Sequence, residues 1–131
     1  MNNTVNSGGS ESNNVGIRVL SINYRTNVTH NRVYARGTTD NYGIWLQNNA
    51  DFSTVDRNNV TTNGTGVTNV GIRQRASMQN NITNNVIATN GTTDNYGVLV
   101  EIDSNSTLTS GNTITTTGSG GSNFGIYLVT R

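Results

Sequence analysis

Asp40 and Asp94 occupy the same place in two identical segments, Gly37-Thr-Thr-Asp-Asn-Tyr-Gly43 and Gly91-Thr-Thr-Asp-Asn-Tyr-Gly97. Two carboxylates at equivalent positions are the raw material of general acid–base chemistry, as in glycoside hydrolysis. A second set is cationic and aromatic: Arg18, Trp45, Arg73, Arg75, Glu101 and Tyr127 all lie just after a Gly-Ile or Gly-Val pair. Aromatic rings stack on sugar rings and guanidinium groups bond hydroxyls, so this set suits a carbohydrate face, and protein interfaces are enriched in the same residue types. Other chemistry is narrow. With no Cys and the single histidine His30, thiolate metal sites are excluded and imidazole coordination has no second His. All 8 basic residues are Arg, which removes Schiff-base and lysine-base catalysis. No metal and no other cofactor is expected.

The elements that would position these residues repeat. Asn31, Asn58, Asn85 and Asn112 are spaced by 27, and each opens a short β-branched run that ends in Gly37, Gly64, Gly91 or Gly118. A fainter copy, Asn2-Asn-Thr-Val-Asn-Ser-Gly8, precedes them. A second motif recurs in step: Val15-Gly-Ile17, Tyr42-Gly-Ile44, Val70-Gly-Ile72, Tyr96-Gly-Val98 and Phe124-Gly-Ile126. A fixed short period marks a solenoid, in which each unit buries its apolar face only against its neighbours. That resolves the composition: 31% hydrophobic and 11% charged residues, with 24 Asn, 21 Thr and 15 Gly, would otherwise suggest disorder. A net charge of only +1 and apolar residues at constant phase argue for order.

Each unit reads as three strands. The first points Val33, Val60, Ile87 and Ile114 inward, followed by Ala35, Thr62, Thr89 and Thr116, because successive strand side chains alternate between faces. Strict alternation in the second strand predicts Tyr42, Ile44 and Leu46 inward, with Val70, Ile72 and Gln74, then Tyr96, Val98 and Val100, then Phe124, Ile126 and Leu128. The third centres on Val28, Val55 and Ile82, with Leu108 one residue short of the spacing. No segment holds a helical apolar pattern, and Asn, Gly and β-branched residues are poor helix formers. The absence of Pro suits a fold with a ladder hydrogen bond at almost every residue. The expectation is an all-β, single-stranded, right-handed parallel β-helix of about five coils, roughly 20–25 Å tall. It occupies 1–131 as one domain, either whole or cut from a longer solenoid.

The pattern in Gly111-Asn-Thr-Ile114 with Phe124-Gly-Ile-Tyr-Leu128, and in Asn85-Val-Ile87 with Tyr96-Gly-Val-Leu-Val100, resembles right-handed parallel β-helix repeats. Such repeats occur in periplasmic copper-site-maturation proteins, pectate-lyase-like enzymes and bacterial surface adhesins. The resemblance covers nearly the whole chain and implies fold rather than activity. Lyases of this type bring a calcium-binding acid cluster and a Lys or Arg base; here Lys is absent and the only close acids within a coil are Glu101 and Asp103.

Stacked coils turn like positions into columns. Asn31, Asn58, Asn85 and Asn112 are expected to form a corner ladder of amides. Arg18, Trp45, Arg73, Leu99 and Tyr127 form an outward column, with Trp45 between two guanidinium groups and Arg75 set to pair with Glu101. Asp40 and Asp94, two coils apart, would be separated by about 10 Å, at the long limit for an inverting pair, and an Asx-turn role suits them better. The outward columns of the first strand mix Arg32, Asn59, Val86 and Thr113, which is no regular Thr array for ice. The expected role is a non-catalytic structural or binding segment of an exported bacterial or phage surface protein. A carbohydrate-binding or carbohydrate-active module on the Trp45, Arg73 and Tyr127 face is the alternative. Partners would be a polysaccharide, a surface protein or a second copy associating end to end. Near-neutral charge without a basic stripe argues against nucleic acid, and no apolar run approaches a membrane span. No signal peptide precedes the first repeat, which leaves export information to a larger precursor or makes the chain a piece that begins mid-protein.

Overall fold

Short alternating runs rich in Val, Ile, Thr and Asn make strands, and in the computed structural model, which describes residues 2–20 and 24–129, these strands stack rung upon rung. Numbered in chain order, the first sheet contains β1 (Thr4–Gly8), β4 (Arg32–Gly37), β7 (Asn59–Gly64), β10 (Val86–Gly91) and β13 (Thr113–Gly118). The second contains β2 (Asn14–Leu20), β5 (Asn41–Gln47), β8 (Asn69–Arg75), β11 (Asn95–Glu101) and β14 (Asn123–Leu128). The third contains β3 (Asn27–Thr29), β6 (Thr54–Asp56), β9 (Asn81–Thr83) and β12 (Leu108–Ser110). Every neighbouring pair is parallel and no described residue is helical. The chain is a parallel β-solenoid of about five coils.

The register makes the expected columns real. Val5, Val33, Val60, Ile87 and Ile114 are direct partners in successive strands of the first sheet. Val28, Val55 and Ile82 do the same in the third. With Ile44, Leu46, Ile72 and Val98 they fill one continuous core. Fully burying each such side chain stabilises by roughly 1.5–3 kcal/mol, which is how so few apolar residues suffice. Leu108 leaves its column: Thr109 pairs with Ile82 instead, and Leu108 is 54% exposed. The N-terminal segment belongs to the first sheet, since β1 pairs with β4 over its whole length.

Strict alternation fails at one recurring place. A Cβ on Gly43 would overlap Val60 Cγ1 and the carbonyl oxygen of Gly71, so this glycine faces the core. Ile44, the next residue, is also inward and fully buried. Two consecutive inward residues put Tyr42 on the outer side of the sheet, contrary to the expectation from counting. Tyr42 joins Trp45, Val70 and Leu99 in a second apolar cluster, against which Val15 and Tyr96 pack.

Each corner has a residue with positive φ directly before a side chain that bonds an adjacent coil, and the third corner adds further positive-φ residues at Asn48, Asn49, Ala76 and Asp103. His30, Arg57, Asn84 and Gly111 (φ 57, 52, 53 and 65°) precede Asn31, Asn58, Asn85 and Asn112. Asp40, Thr68, Asp94 and Ser122 (φ 52, 59, 54 and 57°) precede Asn41, Asn69, Asn95 and Asn123. At the third corner Phe52, Gln79 and Ser106 (φ 54, 55 and 57°) precede Ser53, Asn80 and Thr107.

The first of these corners carries the expected ladder. The Nδ2 groups of Asn3, Asn31, Asn58 and Asn85 each donate to the Oδ1 of the next Asn, all at 3.0 Å. Backbone N–H groups of Asn31, Asn58 and Asn85 donate to the same oxygens at 2.9 Å. A second ladder, unforeseen, runs through Asn14, Asn41, Asn69, Asn95 and Asn123, with steps of 3.2, 2.8, 3.0 and 2.6 Å.

Candidate binding face of the second sheet

The outward residues of β2, β5, β8, β11 and β14 gather most of the side chains singled out in the sequence. Arg18, Trp45, Arg73, Leu99 and Tyr127 are in-register partners. The guanidinium groups of Arg18 and Arg73 lie over the Trp45 ring from the adjacent rungs, each 4.7 Å from its centroid. Arg73 also lies 4.9 Å from the centroid of Tyr42, whose ring packs against Trp45 at 4.9 Å. Trp45 is thereby covered, with 8% of its surface left to solvent. A ring sandwiched this way gains cation–π stabilisation and offers no free face to a sugar.

Several charged groups of this face are also committed, although the buried Trp45 Nε1 has no hydrogen-bond partner among the described residues. Arg18 donates through Nε and Nη2 to Gln47 Oε1, at 3.1 and 2.5 Å. Glu101 takes Nε of Arg73 at 2.6 Å rather than pairing with Arg75, its direct register partner. The reason is burial: the Arg73 side chain is 12% exposed, so its charge needs a partner, while Arg75 stays in solvent. Asp40 and Asp94 stand on one corner with the Thr68 coil between them, and each accepts from the tyrosine two residues on, Tyr42 OH at 3.3 Å and Tyr96 OH at 3.2 Å. Burial, reinforced by the neighbouring aspartate, pushes both Tyr42 and Tyr96 up to about 12, with Arg73 opposing the shift at Tyr42. Two rungs separate the two carboxylates, and each is engaged by its own tyrosine.

Exposed aromatic surface lies further along the column. Tyr96, Phe124 and Tyr127 stack nearly parallel, with centroids 5.0–6.0 Å apart. Beside them a cleft of about 260 Å³ is lined by Thr68, Arg73, Asp94, Tyr96, Leu99, Glu101, Tyr127 and Val129. The predicted set thus divides into a closed part around Trp45 and an open part around Tyr127. Counting through Gly43 hid Tyr42, Tyr96 and Phe124 from this face. The Asp-Asn-Tyr spacing, present twice, was the signal that could have placed them there.

Among the described residues no three His, Asp or Glu side chains converge to hold a metal, and no helix is long and apolar enough to cross a membrane. The outer face of the first sheet sets Arg32, Asn59, Val86 and Thr113 in one column, a mixture without a regular hydroxyl array. No protein-family model, curated protein or solved structure matches this chain.

Proposed function

We propose that the chain is a non-catalytic structural and binding segment of an exported bacterial or phage surface protein, of the adhesin or passenger type. The observation that carries this reading is the commitment of the outer-face groups to one another. Arg18 is held by Gln47, Arg73 by Glu101 and two rings, and Asp40 and Asp94 by tyrosines, so these charged groups serve the packing of the face. Right-handed winding and kinship with the β-helix families belong to the same proposal, supported by the repeat pattern. Incubation with a panel of polysaccharides tests it: new reducing ends or unsaturated products would overturn a non-catalytic role.

A second reading, carbohydrate binding, is favoured by the open cleft beside Tyr127, which is 39% exposed. It places a sugar ring on Tyr127 rather than on the covered Trp45. Glycan-array binding that survives Trp45→Phe and is lost in Tyr127→Ala supports it, and an array with no signal leaves the scaffold reading alone. End-to-end association with a second copy is proposed from the inward residues Ile126 and Leu128 of the last described rung, 46% and 61% exposed. A strictly monomeric protein in light scattering across a dilution series would remove that part.

A further inference from the structure

Five of the described arginines fall into two kinds. Arg18, Arg57 and Arg73 each have a side-chain partner in Gln47, Asp56 or Glu101. Arg32 and Arg36, on the outer face of β4, have, among the described residues, the Tyr34 ring as side-chain partner, over which their guanidinium groups lie at 5.5 and 5.4 Å. Stacking of this kind engages the flat face of a guanidinium and leaves its in-plane N–H donors free.

At the corner beside Arg32 the register sets His30 directly on Arg57, one rung apart. Arg57 carries a full charge at this corner, and a charge on a strand edge is stabilised by an opposite one across the rung. Asp56 supplies that only in part. It contacts Arg57 at 3.2 Å yet leaves that side chain 63% exposed, and its Oδ1 is already taken by Thr83 Oγ1 and Asn84 Nδ2, both at 2.8 Å. Between these groups lies a cleft of about 520 Å³, lined by His30, Arg32, Arg57, Asn3, Thr4 and Asn59 among others. Its fixed charges are the two guanidinium groups of Arg32 and Arg57, and the rest of the lining supplies imidazole, amide and hydroxyl groups.

We propose that this corner binds a tetrahedral oxyanion, a phosphate or sulfate monoester. Two guanidinium groups, an imidazole and the carboxamides of Asn2, Asn3, Asn31 and Asn59 line this open cleft. A group with several acceptor oxygens pointing in different directions can use them together, whereas a planar carboxylate would engage one fork and leave the others unpaired. The site lies on a different sheet from the Tyr127 cleft and stands or falls independently of it.

The test is calorimetric titration of the whole chain with inorganic phosphate and with sulfate, at ionic strength held constant with chloride. Saturable binding is expected, weakened about tenfold in each of Arg32→Gln and Arg57→Gln through loss of a charge-assisted hydrogen bond. Arg25→Gln removes the same charge at another corner and is expected to change affinity less than twofold. His30→Gln provides an independent weakening should an arginine variant fail to fold. Parallel titrations with a sugar phosphate and with phosphatidic acid vesicles identify the source, the tighter ligand being the ester. Heat no larger than the chloride control, or an Arg25→Gln loss equal to that of Arg57→Gln, overturns the site in favour of plain net-charge attraction.

Discussion

Replacing Asn58 by Ala deletes four side-chain hydrogen bonds from the centre of the first ladder. Oδ1 accepts from N and Nδ2 of Asn31 at 2.9 and 3.0 Å, and Nδ2 donates to Asn85 Oδ1 at 3.0 Å and to the Val28 carbonyl at 2.8 Å. At a typical net worth near 1 kcal/mol each, the loss is about 4 kcal/mol. Asn58 is 1% exposed, so water cannot take over the abandoned partners, and unsatisfied buried groups push the cost up rather than down. Against a domain stability of about 5–15 kcal/mol this is a large fraction. Asn3→Ala is the internal control: Asn3 is exposed and contributes one side-chain bond, to Asn31 at 3.0 Å, so its loss is expected to cost about 1 kcal/mol or less. Urea unfolding followed by the fluorescence of Trp45, the only tryptophan, reads both variants through the shift in midpoint at unchanged slope. Equal midpoints for the two variants would refute the argument that the ladder holds the coils together.

Three further outcomes follow from the same geometry. Tyr42 and Tyr96 hold their protons up to about 12 in the folded chain against an ordinary 10.0, so the folded state binds more protons in that interval. Stability is therefore full below pH 10 and falls as pH climbs from 10 towards 12, and Tyr42→Phe should lessen the alkaline loss in pH-jump unfolding. Asp56 behaves oppositely: hydrogen bonds from Asn84 and Thr83, aided by Arg57, hold its carboxyl below the ordinary 3.8, so its stabilisation is present above pH 3.8 and lost on further acidification. Asp56→Asn should flatten the acid limb of a stability–pH profile, and an unchanged limb would count against these contacts. Thr68 is β-branched at φ 59°, where Asp40 and Asp94 stand in the neighbouring coils. Thr68→Asn should stabilise by about 1 kcal/mol, because Asn tolerates the left-handed region far better, and a lower melting temperature would contradict that.

The first ladder was legible because Asn31, Asn58, Asn85 and Asn112 keep a constant step of 27. The second also places an Asn two residues before each motif glycine, but its steps drift through 27, 28, 26 and 28 as the corner between the first two sheets changes length. Side-chain direction at Tyr42 was not legible from alternation. It depends on Gly43 yielding its Cβ position to Val60, a contact between strands of two different sheets. The cation–π sandwich on Trp45 followed from register alone. The partner of Glu101 did not, because register supplies Arg75 whereas burial selects Arg73. Position within a column is set by the backbone; which long side chain reaches across it is set by solvation.

Strand partners throughout the solenoid lie one winding apart in sequence, as in the 27-residue steps from Val33 to Val60 to Ile87. The entropy lost in closing a loop grows only with the logarithm of its length, so each added winding costs the same whether it is the second or the fifth. Assembly of the polypeptide can then proceed like a zipper from any completed pair of turns, its pace governed by that first closure rather than by total chain length.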